Sequence, residues 1–268
     1  MNKLLKSKKS STKPKKEITI KSLVRLNIIA AVLHTIQGVL VLVLAKSSTL
    51  PITSSYLTFN NSTNQLDSAT RNIFDVNLAY FVAAFFFMSA IAHLIIVTIY
   101  RKKYESDLKL GINKARWYEY SISASTMMLA IALLSGIYDA SSLIMIFSLV
   151  AIMNLMGLVM ELWNQTTKKT TWLSFIIGCF AGIVPWIVFV IYVVGASMYG
   201  SGNIPTFVYY IYGSIFIFFN IFALNMWLQY KKVGPWKNYL YGERVYIILS
   251  LVAKSALAWQ VFAGTLRP

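Results

Sequence analysis

The chain has 268 residues, of which 57% are apolar, 15% aromatic and only 13% charged, against roughly 25% charged residues in an ordinary soluble domain. So little polar side chain cannot cover a water-facing surface, and the mean hydropathy is +0.61. These values exclude a soluble globular enzyme and a disordered chain, and a single cysteine, Cys179, excludes a disulfide scaffold.

Residues 1–24 form a Lys/Ser-rich arm, expected to be disordered and to touch lipid headgroups. Residues 25–268 form the membrane domain. Its seven apolar blocks run approximately 26–45, 77–100, 116–137, 140–163, 172–196, 205–230 and 243–264, each near the roughly 20 residues that a spanning helix needs. The first block is followed by the one long outer loop. There Ile52–Phe59 alternates and is rich in β-favouring residues, ahead of Asn60-Asn61-Ser62; a short β-hairpin is expected.

An odd number of spans puts the two termini on opposite sides. The arm and the second, fourth and sixth connections carry twenty-one Lys and Arg, whereas the other side has Lys46, Arg71 and Arg267. The positive-inside rule therefore places the N-terminus in the cytoplasm and the C-terminus outside. The net charge of +16 then reports loops beside anionic lipid, and nucleic acid is not an expected partner. The expectation is an all-α, multi-pass protein of the cell membrane.

The remaining basic residue, Lys254, lies inside the last block, ten residues past Arg244 and thirteen before Arg267. At 1.5 Å per residue the flanking charges are roughly 15 and 20 Å away, too far for snorkelling to either end. A buried amine can lose its proton and attack a carbonyl to form a Schiff base. His34 and His93 each sit roughly 12–14 Å from the inner edge and suggest a shared polar pocket. Glu119 is shallow if its helix begins near Arg116, and reaches the depth of Lys254 if the helix begins near Gly111. Glu161 and Glu243 stand at inner helix ends and are expected to face headgroups.

Ser250, Ser89 and Ser123 each lie four residues from one of these groups (Lys254, His93 and Glu119) and so share a helix face with it. Asn154 and Asn220 are lone amides within spans, expected to bond between helices. Pro185-Trp186 lies mid-block, where a kink opens room for a ligand beside an indole. There is no phosphate-binding loop, zinc-ligand spacing, nucleophile elbow or row of intramembrane carboxylates, so no enzyme and no metal site is expected.

Seven spans with a lysine in the middle of the last is the layout of retinal proteins. Trp117-Tyr-Glu119-Tyr-Ser-Ile-Ser, Gly182-Ile-Val-Pro-Trp186, Phe218-Phe-Asn220-Ile-Phe-Ala, Tyr239-Leu-Tyr-Gly-Glu-Arg244 and Ser250-Leu-Val-Ala-Lys254-Ser-Ala-Leu-Ala-Trp-Gln260 resemble the heliorhodopsins from about Leu26 to Pro268. The Lys-rich arm and Met226 depart from that family's pattern. The resemblance implies a rhodopsin-like bundle with an inward N-terminus, which agrees with the charge count. It implies all-trans retinal held covalently on Lys254 as a protonated Schiff base, with Glu119 as counterion and Ser250 as a neighbour.

It further implies an inner polar cavity of His34, His93 and Ser89, and a retinal pocket lined or bordered by Asn154, Trp186 and Phe219. Ser123, on the face of Glu119, is grouped with the cofactor-binding residues. The implied protein is a slow-photocycle light sensor without net ion pumping, a homodimer joined partly through the outer hairpin, with a cytoplasmic signalling partner. Two other readings stand beside it. One is a light-gated proton or ion conductor of the same fold, and the other a transporter whose lysine binds a small solute without retinal.

Overall fold

The computed structural model describes residues 18–202 and 204–267, so most of the basic arm lies outside the described residues. Helix α1 (Ile20–Leu44) already begins at Ile20, because Thr19 and Ser22 cap it reciprocally through side chain and backbone. Strands β1 (Thr49–Asn60) and β2 (Gln65–Asn77) follow. The helices after them are α2 (Leu78–Val97), α3 (Arg101–Lys109), α4 (Lys114–Leu134), α5 (Ala140–Trp163), α6 (Leu173–Tyr199), α7 (Thr206–Tyr230) and α8 (Tyr239–Val261). A π-helical turn at Phe262–Leu266 ends the chain.

Among the described residues, six helices are long and apolar enough to cross a membrane: α1, α2, α5, α6, α7 and α8, the last with its π turn. The expected third span is α4. It has 21 residues but carries Lys114, Arg116, Glu119 and a run of serines. Its polar side chains turn inward: Arg116, Ser121, Ser123, Ser125 and Thr126 are buried, whereas Tyr118 and Ile122 face out. A helix that is polar toward its neighbours and apolar toward its surroundings dilutes its own hydropathy signal.

The second connection holds a short helix, α3, that the apolar blocks do not mark. It buries Tyr104, Asp107 and Leu108 and exposes its remaining polar residues. The expected hairpin is present and extends beyond Ile52–Phe59, with strands of 12 and 13 residues paired antiparallel from Thr49↔Asn77 to Asn60↔Gln65. A bulge between Ile52 and Thr53 bends it onto α5, as bulges do. Ile52 is buried against the core, the Thr53 N–H donates to Tyr138 O at 2.8 Å, and the Ser55 N–H donates to Asp139 at 3.3 Å.

Around the bundle, α1 packs on α2, α2 on α4, α4 on α5, α5 on α6, α7 on α8 and α8 on α1. Between α6 and α7 the meeting is made by rings: Trp186 against Phe216 and Phe219, and Phe189 against Tyr212. Large rings hold two backbones apart, and the space they leave lies beside Lys254.

Candidate functional site

Lys254 and Ser250 stand one turn apart on the inner face of α8, and Lys254 is 2% exposed. Lys254 Nζ donates to Glu119 Oε1 at 2.9 Å and to Ser250 Oγ at 2.9 Å. Glu119 lies on α4 only six residues into the helix, yet its carboxylate reaches the lysine; the shallow reading of Glu119 is therefore set aside. Ser89 on α2 donates to the same Oε1 at 2.5 Å. The amine also lies 5.4 Å from the centroid of the Tyr120 ring, within cation–π range. One cation, one anion and two hydroxyls thus tie α2, α4 and α8 together, and burial makes each bond hard to exchange for water.

Beside this pair is a cavity walled by α4, α5, α6, α7 and α8. The space open to the centres of water-sized molecules is about 170 Å³, many times the 10–15 Å³ that one water requires on that measure. Asn154, Trp186 and Phe219 lie on its wall, as do Tyr120, Met153, Phe216 and Phe222. Glycines let its wall pack closely: a Cβ at Gly157 would overlap the Trp117 ring, and one at Gly182 would overlap Met153 Sδ. Asn154 does not bond between helices. Its Nδ2 donates to Val150 O and that of Asn220 to Phe216 O, each four residues back in its own helix. Ser123 is fully buried but stands off the cavity wall, and its hydroxyl has no partner among the described residues.

His34 and His93 do meet. Their rings stack with centroids 5.6 Å apart and 8° between planes, away from the apolar cavity. Three of their four ring nitrogens have no partner among the described residues, the exception being His93 Nδ1.

Glu161 and Glu243 overturn the expectation that they face headgroups, being 2% and 0% exposed. Arg116, at the inner edge of the third apolar block, is buried between them and donates from Nη2 to Glu161 and from Nη1 to Glu243. Asn113, which caps α4, donates its N–H to Glu161 at 2.8 Å and its Nδ2 to Glu243 at 2.7 Å, and Tyr239 OH donates to Glu161 at 3.1 Å. The guanidinium also lies 3.9 Å from the Tyr246 ring centroid and 4.5 Å from that of Trp117, two rings of the cavity wall. Helices α4, α5 and α8 are thereby closed at the α3 end of the bundle.

A family model described as Heliorhodopsin matches residues 23–266. Among solved structures, the chain is similar to a cyanorhodopsin from the cyanobacterium Tolypothrix sp. NIES-4075. Identity is 12% and the TM-score 0.57, with 93% of this chain and 96% of that one covered. At such identity the likeness speaks for the fold alone, which is rhodopsin-like. No curated protein matches the chain.

Proposed function

The chain belongs to the heliorhodopsin family, and from that premise we propose that it is a light-sensing photoreceptor binding all-trans retinal covalently through Lys254. The observation that carries this reading is one buried amine, 2.9 Å from a carboxylate, at the edge of a predominantly apolar, aromatic-walled cavity. These residues fit retinal. An amine condenses with an aldehyde with loss of water, and ring faces suit an apolar conjugated chain. The group, when bound, supplies absorption of visible light and isomerisation, and the protein supplies position and field.

Glu119 holds positive charge at Nζ, since a buried cation keeps its proton only where an anion is near. Ser250 accepts from Nζ within α8 and Ser89 donates to Glu119 from α2, so the amine is oriented from its own helix and the carboxylate from a neighbouring one. Asn154, Trp186 and Phe219 form the wall. Ser123 is the small polar neighbour one turn from Glu119, and His34 and His93 with Ser89 make up the inner polar region.

In this reading α4 crosses the membrane as the third of seven spans, its charged residues turned inward, with the N-terminus cytoplasmic and the C-terminus outside. A sensor without net pumping is favoured by where the titratable groups lie. Past Glu119 toward the hairpin, the same face of α4 continues with Ser123, Met127 and Ala130, none of which relays a proton. Asp139, at that end, is occupied by Ser55, Ser141 and Ser142. The hairpin leaves Tyr56, Leu57, Phe59, Leu66, Ile73 and Phe74 exposed, which supports a homodimer joined there. A signalling partner would act from the cytoplasmic side.

The test is to supply all-trans retinal to cells expressing the chain and to illuminate an unbuffered suspension. A visible band with no sustained pH change is expected. A sustained change abolished by a protonophore overturns the non-pumping reading, and passive current along an imposed gradient in patch-clamp favours the conductor. Absence of any visible band favours a transporter without retinal.

A further inference from the structure

Two groups of buried polar contacts, one around Lys254 and one around Asn27, are joined through a single helix, α2. From Ser89, which donates to Glu119, the same face of α2 leads one turn on to His93. His93 Nδ1 is 2.7 Å from Asn27 Oδ1. Asn27 Nδ2 donates to Leu23 O at 2.8 Å and to Tyr104 OH at 3.3 Å. These two bonds use the hydrogens of the amide, so its oxygen faces His93 and can only accept, which makes His93 Nδ1 the donor. Ser89, Asn27 and Tyr104 are each no more than 1% exposed. A shift of His93, Asn27 or Tyr104 leaves a neighbour buried without a partner, and Ser89 and His93 move with the same helix, so the two groups are coupled through α2.

Tyr104 belongs to α3. With Leu108 it roots that helix in a cluster formed with Leu23, Val24, Ile96 and Ile247. The opposite face, with Arg101, Lys102, Ser106 and Lys109, is exposed. Arg101 and Lys103 pair with Glu105 and Asp107 inside the helix itself. Hence the Asn27–Tyr104 bond is the polar tie between α3 and the bundle among the described residues. The neighbouring ends of α4, α5 and α8 are instead fastened by charge-assisted bonds to Arg116, Glu161 and Glu243. At this end of the molecule α3 is thus held to the bundle by apolar packing and one neutral hydrogen bond.

We propose that α3 is the output element of the receptor, its attachment set by the state of the Lys254–Glu119 pair through Ser89, His93, Asn27 and Tyr104. The inference rests on the reading of that pair as the light-sensing site. Isomerisation beside Lys254 changes what Glu119 and Ser89 hold, α2 passes the change to His93, and Asn27 loosens or tightens its hold on Tyr104. The basic outer face of α3 then presents a different surface to the side read as cytoplasmic.

The experiment is hydrogen–deuterium exchange with mass spectrometry on the full-length, retinal-supplied protein, in the dark and under steady light, with absorbance recorded in parallel. Peptides covering 99–110 should exchange several-fold faster or slower in light. In Tyr104→Phe, which keeps the ring and removes the hydroxyl, this difference should shrink several-fold while the light-induced absorbance change persists. A parent protein that cycles optically with no light-dependent exchange in α3 overturns the inference and leaves the photoreceptor reading intact. So does a Tyr104→Phe protein with the full difference. Absence of any light-sensitive band overturns both.

Discussion

A lysine ammonium at mid-span costs about 2.5–3.5 kcal/mol on insertion scales, and Lys254 offsets that cost with Glu119 and Ser250. Its position was legible because no other lysine in the chain lies deep in an apolar block. The partner was only half legible: Glu119 was a candidate, but its depth depended on a helix start that Asn113 sets by capping α4. If Glu119 is the anion that keeps a cation at Nζ, Glu119→Gln lowers the pH at which the visible band is lost and moves the band to the red. An unchanged titration would put the counterion elsewhere.

Arg116 was misread for a related reason. Basic residues near the end of an apolar block ordinarily face headgroups, and nothing in the linear pattern shows that α5 and α8 each turn a glutamate toward it. Removing one member of a buried charge group strands the others, at a cost of about 3–5 kcal/mol. Arg116→Leu should lower the thermal midpoint accordingly or prevent folding, whereas Lys102→Leu, at an exposed site, should leave it nearly unchanged.

At the scale of elements, the apolar blocks located the long helices to within a few residues at most of their ends. The forecast failed where the signal is amphipathic or paired at a distance. Helix α3 is short and polar enough to pass for a loop, and only its packing on α1, α2 and α8 makes it an element. The hairpin was legible from Ile52–Phe59, but its full length comes from cross-strand pairing with β2, whose residues alternate less clearly. Asp139 joins hairpin to helix, and its carboxyl is held below the ordinary aspartate value, first by the Ser141 hydroxyl, then by the Ser142 N–H, with the Ser55 N–H adding to it.

An acid held low in the folded state adds stability above its unfolded value, about pH 4, and that stability is lost as the pH falls through the lower folded value. Amide exchange at Ser55, corrected for intrinsic rate, should thus be slow at neutral pH and accelerate in acid. Asp139→Asn should speed it at neutral pH and flatten the acid response. A wild-type profile retained in Asp139→Asn would show that the hairpin is held by other contacts.

For the whole molecule, the inward-polar α4 and the apolar α5, α6, α7 and α8 enclose the cavity, and this arrangement explains both what was read and what was missed. The family's local residues cluster where chemistry constrains them, around Glu119, Trp186 and Lys254, so the site's outline was legible from motifs. The cavity was not. Its wall is assembled from five helices, with Gly157 and Gly182 letting Trp117 and Met153 approach closely across helix boundaries, and contacts of that kind have no linear signature. The central claim is that one buried amine in this cavity carries the light-absorbing group. Borohydride reduction of the retinal-supplied protein in the dark, followed by digestion and peptide mass analysis, tests it most directly. The account predicts a single retinyl addition on the peptide bearing Lys254, and no addition or visible band in Lys254→Ala. An addition on a different lysine, or a Lys254→Ala protein coloured like the parent, would contradict it.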